Sequence, residues 1–155
     1  MTPRYAYDDP HAYHRRWDRL DPDQLHAAAD RDPLLFVADH VPCTDRRDGA
    51  LAIHVGTDDG GSQVILVPDA IIDPDDGACV TLLATVVERL GPDRVIALGL
   101  VHHRRGRAHI IDLDRRWQEA LDAVCHYYAV GAVGVLARTE SGAIVRMTST
   151  PTARR

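Results

Sequence analysis

Apolar residues along this chain fall into a few short runs, separated by stretches rich in aspartate, glycine and proline. The first 20 residues hold no such run and read as a polar, loosely ordered arm with one short helix. Asp21-Pro22 then reads as a helix start, with the aspartate capping free amides and the proline tolerated in the first turn. A second start, Asp32-Pro33, precedes LLFVADHV, where Leu34, Val37, Ala38 and Val41 recur at helical spacing. The same run would also serve as a buried strand, and periodicity alone leaves both readings open.

Two β-rich runs follow, 50–56 and 63–69, joined by the turn-forming TDDGGS, and they predict a hairpin. Cys79, Leu83, Val86 and Leu90 lie on one stripe of a helix over roughly 78–90, which Gly91-Pro92 stops. Residues 93–103 predict a strand that turns through Arg104, Arg105, Gly106 and Arg107 and returns over 108–114 as the second arm of a hairpin. Asp114 is placed as the N-cap of the next helix, whose Trp117, Leu121, Val124 and Tyr128 share a face. Gly131 opens a small-residue buried strand, AVGVLAR, and Ser141-Gly142 turns it into a last strand, AIVRM. Residues 148–155 read as a disordered tail.

These elements predict one α/β domain of the α+β type over 21–147. Its single mixed, mostly antiparallel sheet has about six strands with helices packed on it, as a two- or three-layer sandwich. At 155 residues the chain is long enough to bury a core without metals or disulfides.

Composition narrows the chemistry. All 18 basic residues are arginine; lysine and asparagine are absent, and 20 aspartates stand against 3 glutamates. Without lysine there is no GxxxxGK[ST] phosphate loop, no Schiff-base chemistry and no lysine base. The bias toward arginine also fits a GC-rich coding sequence, which weakens any argument from arginine abundance alone. Aromatic residues make up only 5% of the chain, so the core is built from Ala, Val, Leu and Ile. Cys43, Cys79 and Cys125 are odd in number and widely spaced, and read as reduced structural thiols. No apolar run approaches the ~20 residues of a membrane span, and the N-terminus lacks a signal-peptide core. A cytoplasmic protein without membrane contact is expected.

The net charge of −5 is unevenly spread: −3 over residues 1–49, −7 over 50–93 and +5 over 94–155. Either the segments neutralise one another within the fold, or a basic face meets an anionic partner.

Three sets of residues invite a functional reading. Across the predicted hairpin His102 opposes His109, close enough to share a metal, while Asp112 falls on the other face of the strand from His109. The alternative is two histidines on a polar sheet face. Arg104, Arg105 and Arg107 at the hairpin tip, with Arg115 and Arg116 at the following helix start, could contact an anion or nucleic acid. No aromatic residue is interleaved there for base stacking, and a solvated turn is the plainer account. Tyr5, Tyr7, Tyr13 and Trp17 crowd four aromatics into an arm too short to bury them alone, which suits docking onto a partner or packing back on the domain. Cys125-His126 is not a nucleophile–base pair, because adjacent helical residues diverge. Ser141 lacks the GxSxG elbow.

The segment VGAVGVLARTESG, a buried strand closing on a Ser-Gly turn after a helix, resembles the core of the JAB/MPN superfamily and in particular the RadC-type domain. That family's strand closes on His-x-His-Pro-Ser-Gly. Here the positions are Ala137, Arg138, Thr139, Glu140, Ser141 and Gly142, so only the Ser-Gly pair matches. No H-x-H occurs in the chain, and nothing acidic follows Glu140. The resemblance, over about 78–147, implies a zinc-free relative without isopeptidase-like activity.

The leading expectation is a non-enzymatic protein-interaction or regulatory module that needs no cofactor and binds a protein partner or a second copy of itself. The alternatives are a metal-dependent hydrolase using His102 and His109, and a nucleic-acid-associated protein using the arginines.

Overall fold

The computed structural model describes residues 20–41, 47–68, 70 and 72–147. In chain order the elements are α1 (Pro22–Arg31), α2 (Pro33–His40), β1 (Leu51–Thr57), β2 (Ser62–Val67), α3 (Asp76–Leu90), β3 (Val95–Arg104), α4 (Asp112–Tyr128), β4 (Gly131–Thr139) and β5 (Ile144–Met147). The arm with Tyr5, Tyr7, Tyr13 and Trp17, and the tail 148–155, lie outside the described residues.

Both aspartate-proline pairs open helices. Asp21 and Gln24 form a reciprocal capping box, each side chain bonding the other's backbone amide. Asp32 accepts from Leu35 N and starts α2. The helical alternative is therefore the right one for 33–41, and Leu34, Val37, Ala38 and Val41 are all buried together.

The five strands form one mixed sheet in the order β2-β1-β3-β4-β5. Three neighbouring pairs are antiparallel, and β3 and β4 are parallel. Parallel neighbours need a crossover, which α4 supplies. Because side chains alternate across a strand, the sheet has two apolar faces. Leu51, Ile53 and Val55 of β1, with Leu98 and Leu100 of β3, pack on α3 and α4. Ala52, Val101 and Leu136 pack on α2. The arrangement is three layers, with α2 on one face and α3 and α4 on the other.

Gly99 lies where α2 approaches the sheet closely. A Cβ on Gly99 would stand 2.8 Å from Leu34 Cδ2 and 3.0 Å from Val133 Cβ, so the bare backbone lets α2 rest on the sheet. Gly99→Val is expected to lower stability by ~1–3 kcal/mol through overpacking, read as a lower urea midpoint with an unchanged slope.

Among the described residues the sheet has five strands where about six were expected. The predicted return strand over 108–114 does not form: residues 105–111 are loop, and α4 starts at Asp112 with Ile111 as its N-cap. Asp114 sits two residues inside the helix and accepts from Ile111 N at 3.0 Å. β3 pairs instead with β1 and β4. No helix among the described residues is long and apolar enough to cross a membrane.

Candidate functional site

Polar side chains concentrate where parallel β3 and β4 end, the side of an α/β sheet at which ligands commonly bind. Alternation along β3 sends His102 and Arg104 toward α4 and His103 toward α2. The two faces carry different chemistry.

On the α4 side, Asp114 is fully buried and gathers charge around it. Arg104 Nε donates to its Oδ1 at 2.8 Å and Nη2 to its Oδ2 at 2.9 Å, the two-pronged geometry that suits a guanidinium and a carboxylate. His102 Nε2 lies 2.9 Å from the same Oδ1. Arg104 also donates to the carbonyls of Arg105, Arg107 and His109. That is why no hairpin forms: the arginine expected at an exposed tip turns inward, and its donors hold the following segment as a loop.

Burial pushes the Asp114 carboxyl up, but contacts from His102, Arg104 and Ile111 N outweigh it and hold the carboxyl at about 2. Burial also lowers His102, and the neighbouring carboxylate only partly offsets this. The fold therefore carries His102 neutral, whereas the unfolded chain protonates it near the ordinary 6.5. Its contribution to stability is complete above that value and declines as pH falls below it. Asp114 adds a second loss below its ordinary 3.8, extending toward about 2. Urea midpoints are expected to fall steadily between neutral pH and pH ~5. His102→Gln should flatten that limb in part, the remainder coming from groups such as His54, which burial also lowers.

On the α2 side, His103 and Arg138 are neighbours in register across β3 and β4, and each is only 2% exposed. His103 Nδ1 lies 3.2 Å from the Ala50 carbonyl, a contact that places the proton on Nδ1 in the neutral ring. Behind Arg138 stands the buried Asp39 of α2, its Oδ1 3.5 Å from Arg138 Nη2. His103 and Arg138 floor a cleft of about 350 Å³ whose other walls are Arg47, Asp48, Arg104, Arg105 and Glu140. Arg105, largely exposed, reaches Asp48 at 3.4 Å. Comparison with protein-family models, curated proteins and solved structures finds no significant match to this chain. The site is therefore read from its own geometry.

The residues singled out in the sequence are dispersed. His102 is buried against Asp114, while His109 is exposed on the loop and joins the network only through its carbonyl. Among the described residues no three or more His, Cys, Asp or Glu are placed to hold a metal ion. Of the five arginines, Arg104 is internal, Arg115 pairs with Asp112, and Arg116 pairs with Asp73 and Asp76. Arg105 lines the cleft, and Arg107 is exposed nearby. Arg116–Asp73, Arg138–Asp39 and Arg146–Asp32 pair arginines of the basic C-terminal third with carboxylates from earlier in the chain.

Sequence reasoning missed Asp39, Arg47 and Arg138 as a group. A signal existed for two of them: Asp39 and Arg138 are lone charges near the ends of apolar runs, LLFVADHV and AVGVLAR. A charge buried there needs a partner, but only the fold says which.

Proposed function

We propose that this chain is a non-enzymatic recognition domain of the cytoplasm, and that its cleft receives one oxyanion, a phosphate or carboxylate group, carried by a regulatory ligand or partner. The reading rests on one observation. His103 and Arg138, side by side and buried, floor a cleft at the carboxyl ends of the parallel strands, where Arg47, Arg104 and Arg105 outnumber Asp48 and Glu140 on its walls. A preorganised guanidinium in a poorly solvated recess offers strong, directional hydrogen bonds to an oxyanion.

A single group fits better than a nucleic-acid backbone. Arg104, Arg115 and Arg116 are each engaged by aspartates and do not extend the cleft into a row of phosphate contacts. The buried free thiols Cys79 and Cys125 have their ionisation pushed up to about 11 and about 12 by burial, which favours packing over nucleophilic roles. The resemblance to RadC-type domains fits the same proposal as a zinc-free relative. In its support, β4 still closes on a Ser141-Gly142 turn, with Thr139 Oγ1 3.0 Å from Ser141 Oγ.

The test is thermal unfolding at constant ionic strength with phosphate, pyrophosphate or citrate, and with duplex DNA as a separate arm. A ligand present at a hundredfold excess over its Kd stabilises the fold by ~2.7 kcal/mol. At least one oxyanion is expected to raise Tm, and Arg47→Ser with Arg105→Ser is expected to abolish the rise. No shift with any of the three, or a shift untouched by that double substitution, overturns the proposal. Binding of DNA alone, with steep salt dependence, would favour a nucleic-acid role instead.

A further inference from the structure

Away from the cleft, β2 forms one edge of the sheet and pairs only with β1 among the described residues. Natural edges are usually blunted by charge, proline or a covering element, because unpaired amides and carbonyls invite another strand. Ser62–Val67 contains no charged residue and no proline. Ile65 and Val67 turn inward to the core shared with α3 and α4. Val64 and Leu66 turn to the opposite face, where α2 stops short of covering them, and remain 45% and 39% exposed. With Phe36, Val37, His40 and Val41 they line an apolar groove of about 250 Å³ alongside the strand. A second hollow, of about 240 Å³, shares Phe36, Val37 and Val64 with that groove and reaches Asp30 and the β1–β2 turn.

Aspartates flank this neutral strand in the sequence. Asp58 and Asp59 are exposed in the turn before it, Asp69 follows it in sequence, and no arginine lies between residues 48 and 88. Antiparallel pairing with a second copy would bring acidic ends together, so self-association is disfavoured. The complementary occupant is apolar in the middle and basic at both ends.

We infer that the β2 edge is a docking site for an extended segment of another protein, added as a sixth strand, with alternate apolar side chains over Val64 and Leu66 and basic residues at its two ends. Main-chain hydrogen bonds to β2 supply affinity, the groove selects the apolar side chains, and the aspartates select the flanks. This site is independent of the oxyanion cleft, and either can exist without the other.

The probe is a synthetic peptide of alternating threonine and valine with arginines at both ends, tested against the full chain by fluorescence anisotropy and amide hydrogen exchange. Binding is expected, with added protection confined to β2. Replacing the arginines with glutamate, or Val64→Ser with Leu66→Ser in the protein, should weaken binding by about tenfold or more, the order set by losing one apolar anchor. Both substituted side chains are partly exposed, and circular dichroism checks that the variant keeps its fold. The inference is overturned by failure of the arginine peptide to bind, by equal binding of the glutamate peptide, by protection at β5 instead of β2, or by a homodimer that the Val64 and Leu66 substitutions dissociate.

Discussion

Asp114→Ala is expected to destabilise the fold by ~3–5 kcal/mol, because it strands a buried guanidinium. Domains of this kind are stable by only ~5–15 kcal/mol in all, so the loss would be plain in a urea titration at neutral pH. Arg104 would lose both of its carboxylate bonds while its side chain stays buried, and His102 would lose the same partner. The loop would suffer as well, since the guanidinium that Asp114 orients also holds the carbonyls of Arg105, Arg107 and His109. Asp114→Asn separates the contributions: it keeps one acceptor and the shape but removes the charge, and should recover only part of the loss. A cost within ~0.5 kcal/mol, the ordinary range for a surface substitution, would refute the reading of Asp114 as the anchor of the loop.

Asp39→Ala is expected to cost ~3 kcal/mol for the same reason on the other face, where Arg138 would keep its charge without this carboxylate beside it. Here stability and function couple with opposite signs. Removing the carboxylate behind Arg138 raises the positive potential of the cleft floor, so any oxyanion that binds there should raise the Tm of the Asp39→Ala chain by more than that of the unaltered protein. A purely structural pair would show the destabilisation without this gain. Thermal unfolding of both chains, with and without the ligand found in the oxyanion screen, gives the comparison directly.

Local rules placed most of the secondary structure. Asp21-Pro22 and Asp32-Pro33 start helices because a carboxylate and a proline act within one turn, whatever the rest of the fold does. The stripe Cys79, Leu83, Val86 and Leu90 and the stop at Gly91 are equally local, and α3 ends there with Gly91 at φ 102°. The TDDGGS hairpin formed for the same reason, helped by Asp59 accepting from Thr57 Oγ1 and Gly61 N.

The prediction failed where a long side chain chose a distant partner. RRGR between two β-rich runs has the local look of a hairpin tip, but Arg104 reaches ten residues on to a buried carboxylate and takes the intervening carbonyls with it. No periodicity encodes that choice, because it depends on the room left when α4 lies across β3.

By itself, then, the sequence determined three of the four helices among the described residues, all five of their strands near the observed positions, the mixed single sheet with its helical layers, and the exclusion of lysine chemistry. Only the tertiary structure decided which groups meet: that His102 and Arg104 serve Asp114, that His103 and Arg138 share a cleft, and that β2 is an edge strand among the described residues. The physical reason is range. Capping, turn formation and amphipathic periodicity act over a few residues, whereas the partner of a buried charge and the neighbour of an edge strand are fixed by packing elements far apart in the chain.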